Sequence, residues 1–264
     1  MGKTLIPAQR RERIQAYLAT HKIVATSELC ELLEVSEATV RRDLEWMENQ
    51  GVIERTHGGA IFNERVNLEQ EYQQRAQRFP NAKRRIGALA ASLIEDGDIV
   101  FVNSGTTTTQ LIRQMRSDAD VTVITNNLIA ALEVGEVDFE LLLLGGSYQS
   151  RSSSVAGRFA INNLSQIYAT KAFIGVDGIS LKHGYTVPSN AEAEVVHLML
   201  ERTQGQIFVI SDHSKWGVVS NFEIAPIQRI KKLITDEGLE ASARASLEAR
   251  SVEIMIAEGV PVES

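Results

Sequence analysis

"VSEATVRRDLEWMENQGVIERTHGGA", residues 35–60, decides how the first part of the chain folds. Val40, Leu44 and Met47 recur at i, i+4 and i+7, the spacing of one apolar helix face. Ser36 stands just ahead, where its hydroxyl can accept from the free N–H groups of a first turn, and Gly51 supplies the stop just past the last turn. With the core face fixed, Thr39 and Arg42 fall on another face, with Arg41 at its flank. Two adjacent arginines therefore point away from the core beside a small polar residue.

Working back from this helix, residues 27–33 predict a second one with Leu29, Leu32 and Leu33 inward, and residues 8–20 a first one with Ile14, Tyr17 and Leu18 on one face. Only Glu34, Val35 and Ser36 separate the second and third helices. That is the tight connection of a helix-turn-helix, whose second helix enters the DNA major groove N-terminus first. Working forward, VIERTHGGAIF (52–62) predicts a short strand with Arg55, a polar turn holding His57, Gly58 and Gly59, and a returning apolar strand. This is the form of a winged hairpin, with donors at its tip suited to phosphates or the minor groove.

Residues 35–60 resemble the N-terminal signature of the DeoR family of bacterial transcriptional regulators. The resemblance implies that Ser36, Thr39, Arg41 and Arg42 belong to a recognition helix, and Arg55 and His57 to a wing. It does not choose which of them reaches a base edge, although arginine is the side chain best shaped for paired contacts to guanine.

Charge separates the two ends of the chain. Residues 1–88 carry 14 Lys and Arg against 12 Asp and Glu, and the remainder 13 against 22, within a total of -7. The first sixty residues, with 8 basic and 9 acidic, are not the basic block of a nonspecific or architectural nucleic-acid binder, so any DNA binding rests on local placement of charge. A 264-residue chain that is 44% apolar fills a sizeable core. MGKTLIPAQRR lacks the apolar segment of a signal peptide, Ile6 breaks the myristoylation pattern, and no run approaches the roughly 18 apolar residues of a membrane span. A cytoplasmic protein without a membrane partner is expected. The one cysteine, Cys30, reads as a buried small hydrophobe. His21, His57, His183, His197 and His213 lack ligand spacing, so neither a metal nor another cofactor is expected.

The polar stretch 62–85, broken by Pro80, predicts a boundary: residues 1–62 a winged helix-turn-helix domain, 63–80 a linker, 81–264 an α/β effector-binding domain. Seven apolar runs, DIVFVN, VTVITNN, ELLLLGG, KAFIGVDGI, QIFVISD, KKLITD and VEIMIAEG, alternate with helical stretches. Near-continuous apolar strands between helices imply a mostly parallel sheet covered on both faces, where ligands bind beyond the carboxyl ends of strands. There stand Asn103, Ser104, Gly105, Thr106, Thr107 and Thr108, opening the helix TTTQLIRQM, a combination of amides, hydroxyls and positive helix end that suits a phosphate. Asn126, Gly145 and Gly146 end the next two strands, and Lys215 a later one. Arg151, in GGSYQSRSSSVAG, is a further candidate anion contact.

This half also resembles the DeoR family, through SGTTT, TNN, LLGG, FIGVDGI, DHSKWG and ITD. The resemblance implies a fold related to ribose-5-phosphate isomerase that senses a phosphorylated sugar or similar metabolite. It assigns Ser104 to Thr108, Asn126, Gly145, Gly146, Asp177 and Lys215 to the effector site. Asn103 departs from the aspartate expected in many members. The implied function is a transcriptional regulator, usually a repressor, of carbohydrate metabolism genes, acting on a double-stranded operator as a homo-oligomer, dimer or tetramer. The competing reading is a sugar-phosphate isomerase with an accessory DNA-binding domain. Its base would be Asp177, Glu192 or Glu194, although the last two read as an ordinary helix face.

Overall fold

The computed structural model describes residues 6–21, 23–49, 53–55, 59–62 and 72–258. The chain divides into two units, Met1–Leu68 and Glu69–Ser264.

The first unit holds α1 (Pro7–His21), β1 (Ile23–Ala25), α2 (Thr26–Leu33), α3 (Glu37–Asn49), β2 (Ile53–Arg55) and β3 (Gly59–Phe62). α2 stops where Glu34 turns left-handed, φ 54°, and donates its N–H to the Cys30 carbonyl. The chain then passes through Val35 and Ser36 into α3. The apolar faces predicted from spacing meet in one core of Ile14, Leu18, Leu29, Leu33, Val40, Leu44 and Met47. Tyr17, Leu32 and Cys30 lie at its margin, half-buried and not enclosed.

Sequence reasoning missed β1. It pairs antiparallel with β3, which pairs with β2, giving the order β1-β3-β2. Gly59, expected in a turn, opens β3 opposite Ala25, where a Cβ would lie 2.1 Å from the Val24 carbonyl oxygen. Close strand approach accounts for the glycine. Gly51, His57 and Gly58 lie outside the described residues, as does the Arg55 side chain.

The second unit runs α4 (Tyr72–Gln77), α5 (Pro80–Ala91), β4 (Ile99–Val102), α6 (Thr106–Arg113), β5 (Thr122–Thr125), α7 (Leu128–Glu133), β6 (Glu140–Leu143), β7 (Ser147–Gln149), β8 (Ser154–Ala156), α8 (Arg158–Leu164), β9 (Ala169–Gly175), β10 (Gly178–Ser180), β11 (Gly184–Val187), α9 (Asn190–Arg202), β12 (Thr203–Ile210), β13 (Phe222–Ala225), β14 (Lys232–Asp236), α10 (Ala241–Glu248) and β15 (Glu253–Ala257). The seven apolar runs become one parallel sheet, ordered β15-β14-β12-β9-β4-β5-β6. Alternate residues feed opposite cores: Phe101, Ile174 and Val209 pack with Met199 of α9, while Val100, Phe173 and Phe208 pack with Ile86 of α5 and Leu111 of α6. The expected architecture, a small winged helix-turn-helix ahead of a mostly parallel α/β unit, is the one observed. The antiparallel sheet β10-β11-β13 and the hairpin β7-β8 were not anticipated.

Residues 72–80, read as the end of a linker, are ordered parts of the second unit. Tyr72 to Gln77 form α4, and Pro80 takes the first position of α5, where its missing N–H costs nothing. α5 lies against α6 so closely that a Cβ at Gly87 would come within 2.6 Å of the Gln110 carbonyl carbon. No described helix is long and apolar enough to cross a membrane.

Candidate ligand pocket and DNA-facing helix

In the first unit α3 presents its N-terminal turn through Ser36 and Thr39, whose hydroxyls meet at 3.0 Å. Arg41 and Arg42 are exposed. Arg41 meets Glu37, one turn back at 2.6 Å, a solvated pair of small worth. Beneath them Asp43 is 1% exposed and accepts from Arg10 Nε at 2.7 Å and Arg11 Nε at 3.0 Å. The Arg11 guanidinium also lies 4.1 Å above the Trp46 ring. These contacts tie α1 to α3 and leave Arg41 and Arg42 as the outward pair.

In the second unit a pocket opens to solvent at the carboxyl ends of β4 and β9. One wall is the β4–α6 connection. Asn103 uses both amide atoms on Gly175, donating to its carbonyl at 2.9 Å and accepting from its N–H at 2.7 Å. A carboxylate cannot donate the first of these bonds, so this asparagine clamps two strand ends. Asn126 Oδ1 accepts from the Ser104 N–H at 2.8 Å, and Thr108 and Thr109 donate to the Gly105 carbonyl at 3.0 and 2.8 Å. The braced loop places Ser104, Gly105, Thr106 and Thr107 on the pocket wall, where the first-turn amides of α6 have no acceptor within their own helix. That end also carries the positive pole of the helix dipole.

The opposite wall is charged. Arg75 of α4 donates Nη1 to Asp177 Oδ1 at 3.0 Å, and Lys215 Nζ stands 3.7 Å from the same oxygen. Burial alone would lower the affinity of Arg75 for its proton, but Asp177 and then Glu192 more than offset it, so the guanidinium stays charged. Glu192, in the first turn of α9, has its carboxyl pushed above the ordinary value, first by burial and next by the charge of Asp177; a bond from Ser152 and the nearness of Arg75 oppose this. Behind α4, Lys83 donates to the carbonyls of Arg75 and Arg78 and lies 3.8 Å from Asp212. Its burial pulls its pKa down to about 8, against the opposing pull of Asp212.

Of the expected effector residues, Ser104, Gly105, Thr106, Thr107, Asp177 and Lys215 line this pocket. Thr108 and Asn126 brace the loop from behind. Gly145, Gly146 and Arg151 are not among the lining residues. Gly146 instead allows close packing, since a Cβ there would lie 2.6 Å from the Ala156 carbonyl oxygen. Arg151 has an exposed side chain, and its backbone carbonyl accepts from the Tyr72 N–H at 3.1 Å. Sequence reasoning missed Arg75 and gave Glu192 to an ordinary helix face. Ser189 followed three residues later by Glu192 marks the start of a helix, and Ser189 does cap α9, but that pattern does not point Glu192 at the pocket. Among the described residues no group of three His, Cys, Asp or Glu is placed to hold a metal ion.

Residues 10–66 match the DeoR-like helix-turn-helix domain, and residues 78–237 match the DeoR C terminal sensor domain. The chain belongs to the DeoR family. Within that family it is 32% identical over 251 residues to the HTH-type transcriptional regulator GlpR of Haloferax volcanii, covering 95% of this chain and 98% of the relative. It is 35% identical over 251 residues to the HTH-type transcriptional repressor GlcR of Bacillus subtilis, covering 95% and 96%. Among solved structures, ribose 5-phosphate isomerase A from Methanocaldococcus jannaschii aligns over 52% of this chain and 54% of its own, at 15% identity and a TM-score of 0.38, too low to bear an argument.

Proposed function

We propose that this DeoR-family protein is a repressor that grips a two-fold DNA operator in the cytoplasm, and that a phosphorylated sugar or related metabolite in the second unit's pocket sets the strength of that grip. The observation that carries the reading is the pocket's division of labour. The amino end of α6 with Ser104, Thr106 and Thr107 suits a phosphate, Lys215 and Arg75 supply positive charge, and Asp177 and Glu192 suit the hydroxyls of a polyol. The name repressor on the Bacillus subtilis relative favours repression here.

On the DNA side, Ser36, Thr39, Arg41 and Arg42 form the groove-facing set, with Arg55 and His57 assigned to the wing. A two-fold operator requires at least a dimer of this chain. The metabolite acts by binding the DNA-competent and DNA-incompetent arrangements unequally.

An isomerase reading requires a carboxylate free to take a proton beside the substrate carbonyl. Asp177 is engaged by two cations, Glu192 is held toward its protonated form by burial and by the charge of Asp177, and Glu194 is exposed and accepts from Asn190 at 2.7 Å. The test is a thermal-shift screen against aldose, ketose and polyol phosphates and their unphosphorylated parents, followed by operator titration with the best compound. A midpoint raised only by a phosphorylated compound, and lost in Thr106→Ala or Lys215→Ala, is the expected result. Operator affinity indifferent to every compound sinks the sensing part, and turnover of ribose 5-phosphate would restore the isomerase.

A further inference from the structure

Arg75 belongs to neither matched stretch, standing after residue 66 and before residue 78, yet it lines the pocket. Its side chain is 13% exposed, and while Nη1 meets Asp177, its Nε is buried with no hydrogen-bond partner among the described residues. Buried donors are normally hydrogen-bonded, so an unpaired one beside an open pocket is a group that a ligand atom can satisfy. Asp177 already has a second cation, Lys215, so it does not depend on Arg75 alone for compensation.

The helix that carries Arg75 is poorly self-sufficient. α4 spans Tyr72–Gln77, far shorter than a helix that holds itself together in water, so its order rests on its contacts. Besides the bond from the Tyr72 N–H to the Arg151 carbonyl at 3.1 Å, those contacts touch both pocket walls. The Tyr72 hydroxyl meets Thr109 of α6 at 2.6 Å, Arg75 meets Asp177 beyond β9, and Lys83 of α5 caps the carbonyl of Arg75. α4 is also the first described element of the second unit, directly following the DNA-binding unit along the chain.

We propose that Arg75 reports the pocket's occupancy: an anion seated against α6 draws the guanidinium from Asp177, and the loss of that anchor loosens α4, the segment through which the chain continues from the DNA-binding unit. This rests on the phosphate-binding role proposed above. The ligand it implies carries both a phosphate and hydroxyls, the phosphate to compete for Arg75 and the hydroxyls to take over Asp177. By linkage, a state with α4 loosened binds the anion more tightly than one with α4 docked.

Hydrogen–deuterium exchange on the full chain tests this, with inorganic phosphate first and then a panel of aldose and polyol phosphates as probes. Without ligand, Asp177→Asn removes the ionic acceptor, and we expect the α4 amides to exchange about tenfold faster while the β9 amides stay protected as proof of folding. Arg75→Lys, which keeps the charge but not the fork, is expected to leave the ligand-free pattern near that of the unaltered chain and to reduce the response to ligand. In the unaltered chain, a probe should protect the first-turn amides of α6 and speed exchange in α4. Protection of α6 with α4 unchanged overturns the inference and leaves the pocket assignment standing. Absence of protection at α6 from every probe overturns the pocket assignment itself, and the inference with it. Unchanged α4 exchange in folded Asp177→Asn overturns the role of the ion pair regardless of ligand.

Discussion

Asp43 and Asp177 each hold two cations, and they teach opposite lessons. Asp43 is 1% exposed and takes Arg10 and Arg11 at 2.7 and 3.0 Å inside the helical unit. Asp177, 7% exposed, takes Arg75 and Lys215 at 3.0 and 3.7 Å at the wall of an open pocket. The cations of the first carboxylate are joints between α1 and α3. The second shares its cations with a space that a ligand can enter. Burial and pairing are alike in both, so it is access that distinguishes a joint from a recognition device.

The comparison breaks most easily at Asp43. Asp43→Ala leaves two arginines without their buried acceptor, and we expect a loss of about 3 kcal/mol in the stability of the first unit. Urea denaturation would measure it, with metabolite binding by the second unit unaltered. If Asp43→Ala were instead as stable as the parent, the joint reading would fall.

Arg42→Ala is expected to leave stability within about 0.5 kcal/mol while weakening specific operator binding by about 2 kcal/mol. Gel-shift titration at two salt concentrations reads the second effect, and an equal loss on unrelated DNA would reassign Arg42 to phosphate contact. Lys215→Ala should cost the metabolite about tenfold in affinity, as expected for one charged hydrogen bond, with Asp177 still compensated by Arg75; calorimetric titration decides it.

The smallest effect sharpens the picture of the pocket. Glu192 keeps its proton to higher pH in the folded chain than in the unfolded one, so folding loses stability as pH rises from the unfolded value through the folded one. Glu192→Gln removes that loss. Its melting point should exceed the parent's at neutral pH and converge with it toward acid, and a constant offset across pH would refute the assignment.

What could be read in advance follows the same division between local and assembled features. The seven strands of the parallel sheet were legible because burial on both faces writes an unbroken apolar run into each. The three helices of the first unit were legible because one core face writes a 3.6-residue period. β1 was not, being three residues long and stabilised by its pairing with β3. The pocket was half legible. Ser104 to Thr107 form a continuous polar stretch at a strand end, whereas Arg75 comes from a polar segment with no periodicity of its own and meets Asp177 only once the chain has folded. Gly145, Gly146 and Arg151 occupy the type of position where ligands bind, but β6 is the sheet's edge strand, and the pocket lies where β4 and β9 end.

The contact at Gly87 carries a consequence for how such a sensor diversifies. α6 is braced by a neighbouring helix whose backbone it nearly touches, so the position of one pocket wall depends on a residue outside the pocket lining. A methyl group at position 87 would meet the Gln110 backbone and push α6 away from α5, shifting the first-turn amides on the pocket wall. Given the phosphate site proposed above, selection for a new metabolite would rework Arg75, Asp177, Glu192 or Val187 of the pocket lining one at a time, while position 87 held the phosphate end constant. Inheritance of the anion and turnover of the sugar would then be separate events, governed by opposite sides of the same helix.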